Sequence, residues 1–138
     1  MVFVDSDLLI QSLRKSDSQT SIKAKKVMEE IVQTNPTVKI TIFNYAELYK
    51  GTYLSSNVAK SQRIVKKFLE NFEIVPFTLE NSLEFARISA ELDLKGEKIG
   101  DMDILIASVI VGSGEELYTK NIDHFKRIPN LLIKNWEE

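Results

Sequence analysis

Short apolar runs alternate with longer stretches of helical period along the chain. Residues 1–4 are apolar, and beyond Asp5-Ser6-Asp7 the residues Leu8, Leu9 and Leu13 recur at helical spacing. That pattern predicts a buried strand feeding a helix, with acids at the strand's C-terminal end. Residues 14–21 read as a polar loop. Residues 22–33 form an amphipathic pattern, with Ile22, Val27 and Ile31 on one face and Lys23, Lys25, Lys26, Glu29 and Glu30 on the other. Asn35-Pro36 stops that helix. Residues 38–42 alternate and are β-branched, which predicts a strand. Residues 44–50 read as a short helix carrying Glu47 and ending at Gly51.

The second half repeats the alternation. Residues 57–71 read as a helix with Val58, Ile64, Val65, Phe68 and Leu69 inward, and residues 72–77 as a strand closed by Pro76. Residues 79–94 make a long helix carrying Leu83, Ala86, Ile88, Ala90 and Leu92. A polar turn then leads into Ile99-Gly100-Asp101-Met102-Asp103, followed by an almost unbroken apolar run over 104–111. Its length, with Ala107 and Ser108, favours a helix buried on most sides. Gly100 and Asp101 supply its turn and cap, and Asp103 lies in its first turn. Gly112-Ser113-Gly114 breaks it. Residues 117–119 read as a strand, 121–127 as a short helix and 131–133 as a last strand. Strands alternating with helices imply an α/β fold with a mostly parallel central sheet covered on both faces. One domain over residues 1–138 is the expectation.

Composition narrows the chemistry. With 43% hydrophobic and 28% charged residues the chain is ordinary for a soluble globular protein. It has no cysteine, which removes disulfides, thiolate metal sites and cysteine nucleophiles and fits a reducing cytoplasm. Asp5 and Asp7 interrupt the only apolar stretch near the start, so no signal peptide is read there. No apolar run approaches the roughly 20 residues of a membrane span. The formal net charge of −2 gives no global basic field.

The acids are placed suggestively. In an open α/β sheet, sites form beyond the carboxyl ends of the strands. Asp5, Asp7, Glu47, Asp101, Asp103 and Asp123 all fall just after strand ends or at adjoining helix starts. Packed carboxylates repel one another unless a cation holds them. A set lacking thiolates and rich in oxygen suits Mg²⁺ or Mn²⁺, and metal-assisted hydrolysis of a phosphate ester follows. His124, the only histidine, reads as a surface or packing residue. Ser6, Thr119 and Asn121 read as capping residues or as groups that orient carboxylates and water.

Four segments in order carry a resemblance. They are Val4-Asp5-Ser6-Asp7-Leu8-Leu9-Ile10, Ala46-Glu47-Leu48-Tyr49-Lys50-Gly51, Gly100-Asp101-Met102-Asp103-Ile104-Leu105-Ile106-Ala107 and Tyr118-Thr119-Lys120-Asn121-Ile122-Asp123-His124-Phe125. Together they resemble the successive motifs of PIN-domain ribonucleases, in particular the VapC-type toxins of prokaryotic toxin–antitoxin pairs. The resemblance implies an α/β/α sandwich and Mg²⁺- or Mn²⁺-dependent endonucleolytic cleavage of RNA. By position, Asp5, Glu47 and Asp103 match the three invariant acids. Asp101 matches an auxiliary acid, Asp7 a residue supporting the first acid, and Asn121 a polar residue beside the metal. The sequence departs from the pattern at His124, where many members carry an acid. Asp123, one residue earlier, would point about 100° away on a helix, which puts a second metal site in doubt.

The resemblance further implies a homodimer and a tight complex with a small antitoxin, whose docking groove is expected along 8–13 and 22–31. Lys23, Lys25, Lys26, Lys66, Lys67, Lys120, Lys126 and Arg127 are candidate phosphate contacts. Three other readings are open. One is a PIN-fold RNA-processing nuclease outside a toxin system, and another is a binding module that has lost catalysis. The third is a haloacid-dehalogenase-like phosphatase using Asp5 as nucleophile, which would not need Glu47.

Overall fold

Five strands and seven α-helices alternate in the computed structural model, which describes all 138 residues. The order is β1 (Val2–Val4), α1 (Ser6–Leu13), α2 (Gln19–Thr34), β2 (Val38–Thr41), α3 (Ile42–Tyr53), α4 (Val58–Phe68), a 3₁₀ turn (Leu69–Asn71), β3 (Phe72–Val75), α5 (Leu79–Lys95), α6 (Asp101–Ile110), β4 (Glu116–Thr119), α7 (Ile122–Phe125) and β5 (Leu132–Asn135). The strands form one sheet in the order β3-β2-β1-β4-β5, and every pair is parallel.

Side chains on a strand alternate between faces, and the two halves of the core follow that alternation. Val2 and Val4 of β1 pack with Leu8 and Leu9 of α1, Met28 and Ile31 of α2, Leu48 of α3 and Val65 of α4. Phe3, between them, packs on the opposite face with Ile88 and Leu92 of α5 and with Ile104, Ile106 and Ile110 of α6. The result is an α/β/α sandwich. Six residues of α6 are buried, as its unbroken apolar run predicts.

Several expected boundaries and faces shift. α2 starts earlier, because Ser18 caps it by accepting from the Ser21 N–H. Ile22, expected inward, is 56% exposed, and the buried face carries Ser21, Ala24, Met28 and Ile31 instead. Gly51 does not end α3, which runs through it to Tyr53. Ile64, expected inward, is exposed, as is Leu83 of the long helix α5. Gly100 alone caps α6, and Asp101 is the first residue inside the helix.

β1, β2 and β3 succeed one another outward on one side, and β4 and β5 lie on the other. The connections leaving β1 and β4 therefore diverge. That topology opens a crevice beyond the carboxyl ends of β1 and β4, where ligands of such sheets bind.

Candidate active site

Asp5 sits at that crevice. It follows β1, caps α1 through the Ser6 N–H at 2.9 Å, and is only 7% exposed. Its two oxygens are held by two further groups, one on a neighbouring helix and one at a neighbouring strand end. Asn44, in the first turn of α3, donates to Oδ1 at 3.0 Å, and Thr119, at the end of β4, donates to Oδ2 at 2.7 Å. Asn44 is itself fixed by Thr41 at the end of β2, in a reciprocal capping box. The Thr41 hydroxyl also donates to Asn44 Oδ1 at 2.7 Å. Three adjacent strands thus converge on one carboxylate.

The network extends to the other acids. Ser6 donates from Oγ to Glu47 Oε1 at 2.8 Å while accepting from Asn44 Nδ2 at 2.9 Å. Asp103, in the first turn of α6, accepts from Asn121 Nδ2 at 3.0 Å and lies 2.7 Å from His124 Nδ1. Both bonds fall on Oδ2, so the His124 Nδ1 carries its proton toward Asp103. The 3.1 Å approach of Asn121 Nδ2 to the same ring nitrogen is then a contact between two donors and not a bond. Asp7 accepts from the Lys120 N–H at 3.1 Å and from the indole of Trp136 at 3.0 Å. Trp136, 2% exposed, ties the C-terminal segment to the site.

No lysine or arginine pairs with Asp5, Asp7, Glu47, Asp101 or Asp103, and His124 is the only base in contact with any of them. Burial, then the charge of Asp7 and that of Asp103, push the Asp5 carboxyl from its ordinary 3.8 up to about 6, against the opposing bonds from Thr119 and Ser6. Negative charge is concentrated here without a protein cation to balance it. As the side chains stand, no three acidic or histidine groups enclose a single point. Glu47 is held toward Ser6, and Asp103 toward Asn121 and His124. None of the molecule's five cavities is lined by Asp5, Glu47 or Asp103.

The geometry matches the pattern of one family. The PIN domain family's sequence signature covers residues 2–131. The chain belongs to the PIN domain family. Ribonuclease VapC2 of Rickettsia felis is 36% identical over 109 residues, 79% of this chain and 81% of that protein. The tRNA(fMet)-specific endonuclease VapC of Salmonella typhimurium is 25% identical over 114 residues, covering 83% and 86%. The crystal structure of VapBC2 from Rickettsia felis, bound to a DNA fragment from their promoter, superposes with a TM-score of 0.84 at 30% identity, covering 99% of each chain.

Within this PIN fold, Asp5, Ser6, Asp7, Glu47, Asp103, Thr119 and Asn121 form one connected set. Asp101 is exposed and makes no side-chain bond. Asp123 points to solvent, 85% exposed, and pairs with Lys126 at 3.4 Å, so it does not replace a fourth acid. Arg127 donates to the Glu97 and Lys98 carbonyls. His124, expected to be a surface or packing residue, instead joins the site through Asp103. Its i+3 spacing from Asn121 was the available signal. Asn44 and Trp136 were missed altogether.

The Trp136 indole carries a prediction. Trp136→Phe keeps most of the buried ring but removes one of the donors holding Asp7, and charge-assisted bonds are worth about 1.5–3 kcal/mol. The variant is expected to lose roughly 2 kcal/mol of stability, read as a lower urea midpoint with an unchanged m-value. An unchanged midpoint would mean that the indole bond contributes nothing.

Proposed function

We propose that this protein is a metal-dependent endoribonuclease, the toxin of a toxin–antitoxin pair, and that Asp5, Glu47 and Asp103 are its metal-holding acids. One observation carries the reading: a buried Asp5, joined through Ser6 to Glu47 and flanked by Asp103, with no basic side chain of its own. The donor set is all oxygen, and Glu47 Oε2 and Asp103 Oδ1 make no bond within the protein, so the residues fit Mg²⁺ or Mn²⁺ by chemistry and charge. Such an ion, when bound, polarises a phosphoryl oxygen and makes water a stronger nucleophile near neutral pH.

The chain's own residues do the positioning. Asn44, Thr119 and the Ser6 N–H fix both oxygens of Asp5, so its carboxylate is oriented before any substrate arrives. Asn121 and His124 both donate to Oδ2 of Asp103 and leave its other oxygen free. Ser6 links the first and second acids, so that moving Glu47 disturbs Asp5. Asp101 stands as an auxiliary acid at the exposed rim.

The partner is a small antitoxin, and its seat is the apolar cavity one helical turn beyond the site. Ser6 and Ile10 are one turn apart on α1, as are Glu47 and Gly51 on α3. Beyond them Ile10, Leu13, Arg14, Gly51, Ile64 and Val65 line a cavity of about 460 Å³. The 8–13 stretch thus contributes Ile10 and Leu13, while Leu8 and Leu9 belong to the core. The 22–31 stretch contributes nothing to this cavity. Membership of the PIN family sets aside the phosphatase reading.

Cleavage of a panel of structured RNAs tests the function. Cleavage is expected with Mg²⁺ or Mn²⁺, not with EDTA, and should fall by at least 100-fold in Glu47→Gln and in Asp103→Asn. Metal-dependent cleavage that survives both substitutions would remove these acids from the site, and no cleavage by the parent would leave a binding module.

A further inference from the structure

Resting on that reading, we infer that RNA is held beside the active site by a basic stripe on α4, with Lys60, Arg63 and Lys67 contacting its phosphates. The charge distribution is the first argument. From Leu48 to Leu69 the chain has no acid and five cations: Lys50, Lys60, Arg63, Lys66 and Lys67. The whole chain carries 18 basic and 20 acidic side chains, so the remainder holds 13 against 20. A protein of net charge −2 is thus divided into a segment of +5 and a remainder of −7.

The geometry of α4 is the second argument. At about 100° per residue, Lys60, Arg63 and Lys67 fall within about 60° of one another, and Lys66 lies about 60° beyond Arg63. All four are exposed, and none makes an ion pair. The opposite face of the same helix carries Val65 and Phe68 into the core. The stripe rises about 10 Å from Lys60 to Lys67, a span from which three long, flexible side chains reach successive phosphates of one strand.

Its placement is the third argument. Ser61, Ile64 and Val65 of α4 line one cavity with Arg14 and with Ile10 and Gly51, which lie one helical turn beyond Ser6 and Glu47. Lys60 and Lys15 line the adjoining depression with Leu13 and Ser61. A basic rim therefore borders the path away from the acids. The other exposed lysine cluster, Lys23, Lys25 and Lys26 on α2, is interleaved with Glu29 and Glu30, and Lys126 is already paired with Asp123. Those positions lack the uniform sign that a phosphate chain requires.

The test measures binding of a 20-nucleotide single-stranded RNA by fluorescence anisotropy across a salt series, in an Asp5→Asn background that prevents cleavage. Lys60→Gln, Arg63→Gln and Lys67→Gln combined keep helix propensity. Each lost phosphate contact should flatten the slope of log K against log salt by about 0.7, so the triple variant should lose about 2 from the slope and at least 10-fold in affinity. In an otherwise unaltered chain, the same three changes should raise KM for RNA cleavage while leaving kcat within about twofold. Lys23→Gln with Lys25→Gln and Lys26→Gln should change neither quantity. An unchanged slope and affinity in the α4 variant, with the parent still cleaving, overturns the inference and leaves the nuclease intact. RNA affinity retained while binding of an acidic protein is lost also overturns it. A parent that binds RNA through this stripe but never cleaves it overturns the nuclease and leaves the stripe standing.

Discussion

Asp5→Asn is expected to abolish RNA cleavage and, in the same protein, to raise thermal stability when no divalent metal is present. Burial is the main cause, with Asp7 and Asp103 adding to it, of an Asp5 carboxyl raised from 3.8 to about 6. A carboxyl whose folded pKa lies above its unfolded one is penalised in the native state once both forms are ionised. Below 3.8 both states are protonated and the group contributes nothing. As pH rises from 3.8 to 6 the native state holds the proton longer, so stability falls across that window and stays lower above it. A rise of this size corresponds to about 3 kcal/mol. Asparagine keeps an oxygen for the Ser6 and Asn44 donors, and its amide can donate to Thr119 Oγ1. The Thr119 hydroxyl then turns to Asp7 Oδ2, already 3.4 Å away. In EDTA at pH 7.5 the variant should melt on the order of 10 °C above the parent. The difference should vanish near pH 4. Saturating Mg²⁺ or Mn²⁺ should raise the parent's Tm, since an ion at 100 times its Kd stabilises by about 2.7 kcal/mol, and should leave the variant unmoved. A variant that melts lower than the parent at pH 7.5 would show that the Asp5 charge is already compensated.

The cost of burying a carboxylate explains which parts of the site are legible in the sequence. Asp5, Glu47 and Asp103 stand out because each interrupts apolar surroundings, Asp5 and Asp103 at element boundaries and Glu47 within α3, where a charge needs a reason. The alternation of strands and helices likewise fixes the parallel sheet, since each residue's period is a local property. Asn44 is different. It looks like an ordinary helix-start residue, and its importance lies in bonds to Asp5 and Ser6, which are distant in sequence. Trp136 meets Asp7 across almost the entire chain, and no local pattern reports such a pair. For His124 the only local signal is its i+3 spacing from Asn121, because a four-residue helix is too short to show a period. The shifted ends of α2 and α3 have local causes that were underweighted. Ser18 is a capping residue placed before the polar start of α2, and Gly51 lies in a helix whose packing outweighs its propensity.

Asn44→Asp should be the most damaging single-atom-class change in the site, and its damage should depend on pH. Asn44 is fully buried and uses both ends of its amide. Its oxygen accepts from the Thr41 N–H and hydroxyl, and its nitrogen donates to Asp5 Oδ1 at 3.0 Å and Ser6 Oγ at 2.9 Å. Aspartate preserves the capping box at Thr41 but sets a second carboxylate oxygen against Asp5 at the distance of the former bond. Two buried carboxylates so close cannot both ionise, and the pair must retain a proton. At pH 8, removing that proton is unfavourable, and the loss of stability should reach about 3–5 kcal/mol, the range for an uncompensated buried charge. At pH 5 the shared proton replaces the lost amide hydrogen, and most of the stability should return. Asn44→Leu separates charge from hydrogen bonding. It orphans Thr41, Ser6 and Asp5 without adding an acid, so its loss should be about 1–3 kcal/mol and vary less between the two pH values. Urea unfolding of both variants at pH 5 and pH 8 in EDTA reads the difference. If Asn44→Asp is no more sensitive to pH than Asn44→Leu, the amide's role is only to fill space and complete the cap. If it is, then the amide of Asn44 is what lets a single buried carboxylate stand correctly turned at the mouth of the sheet.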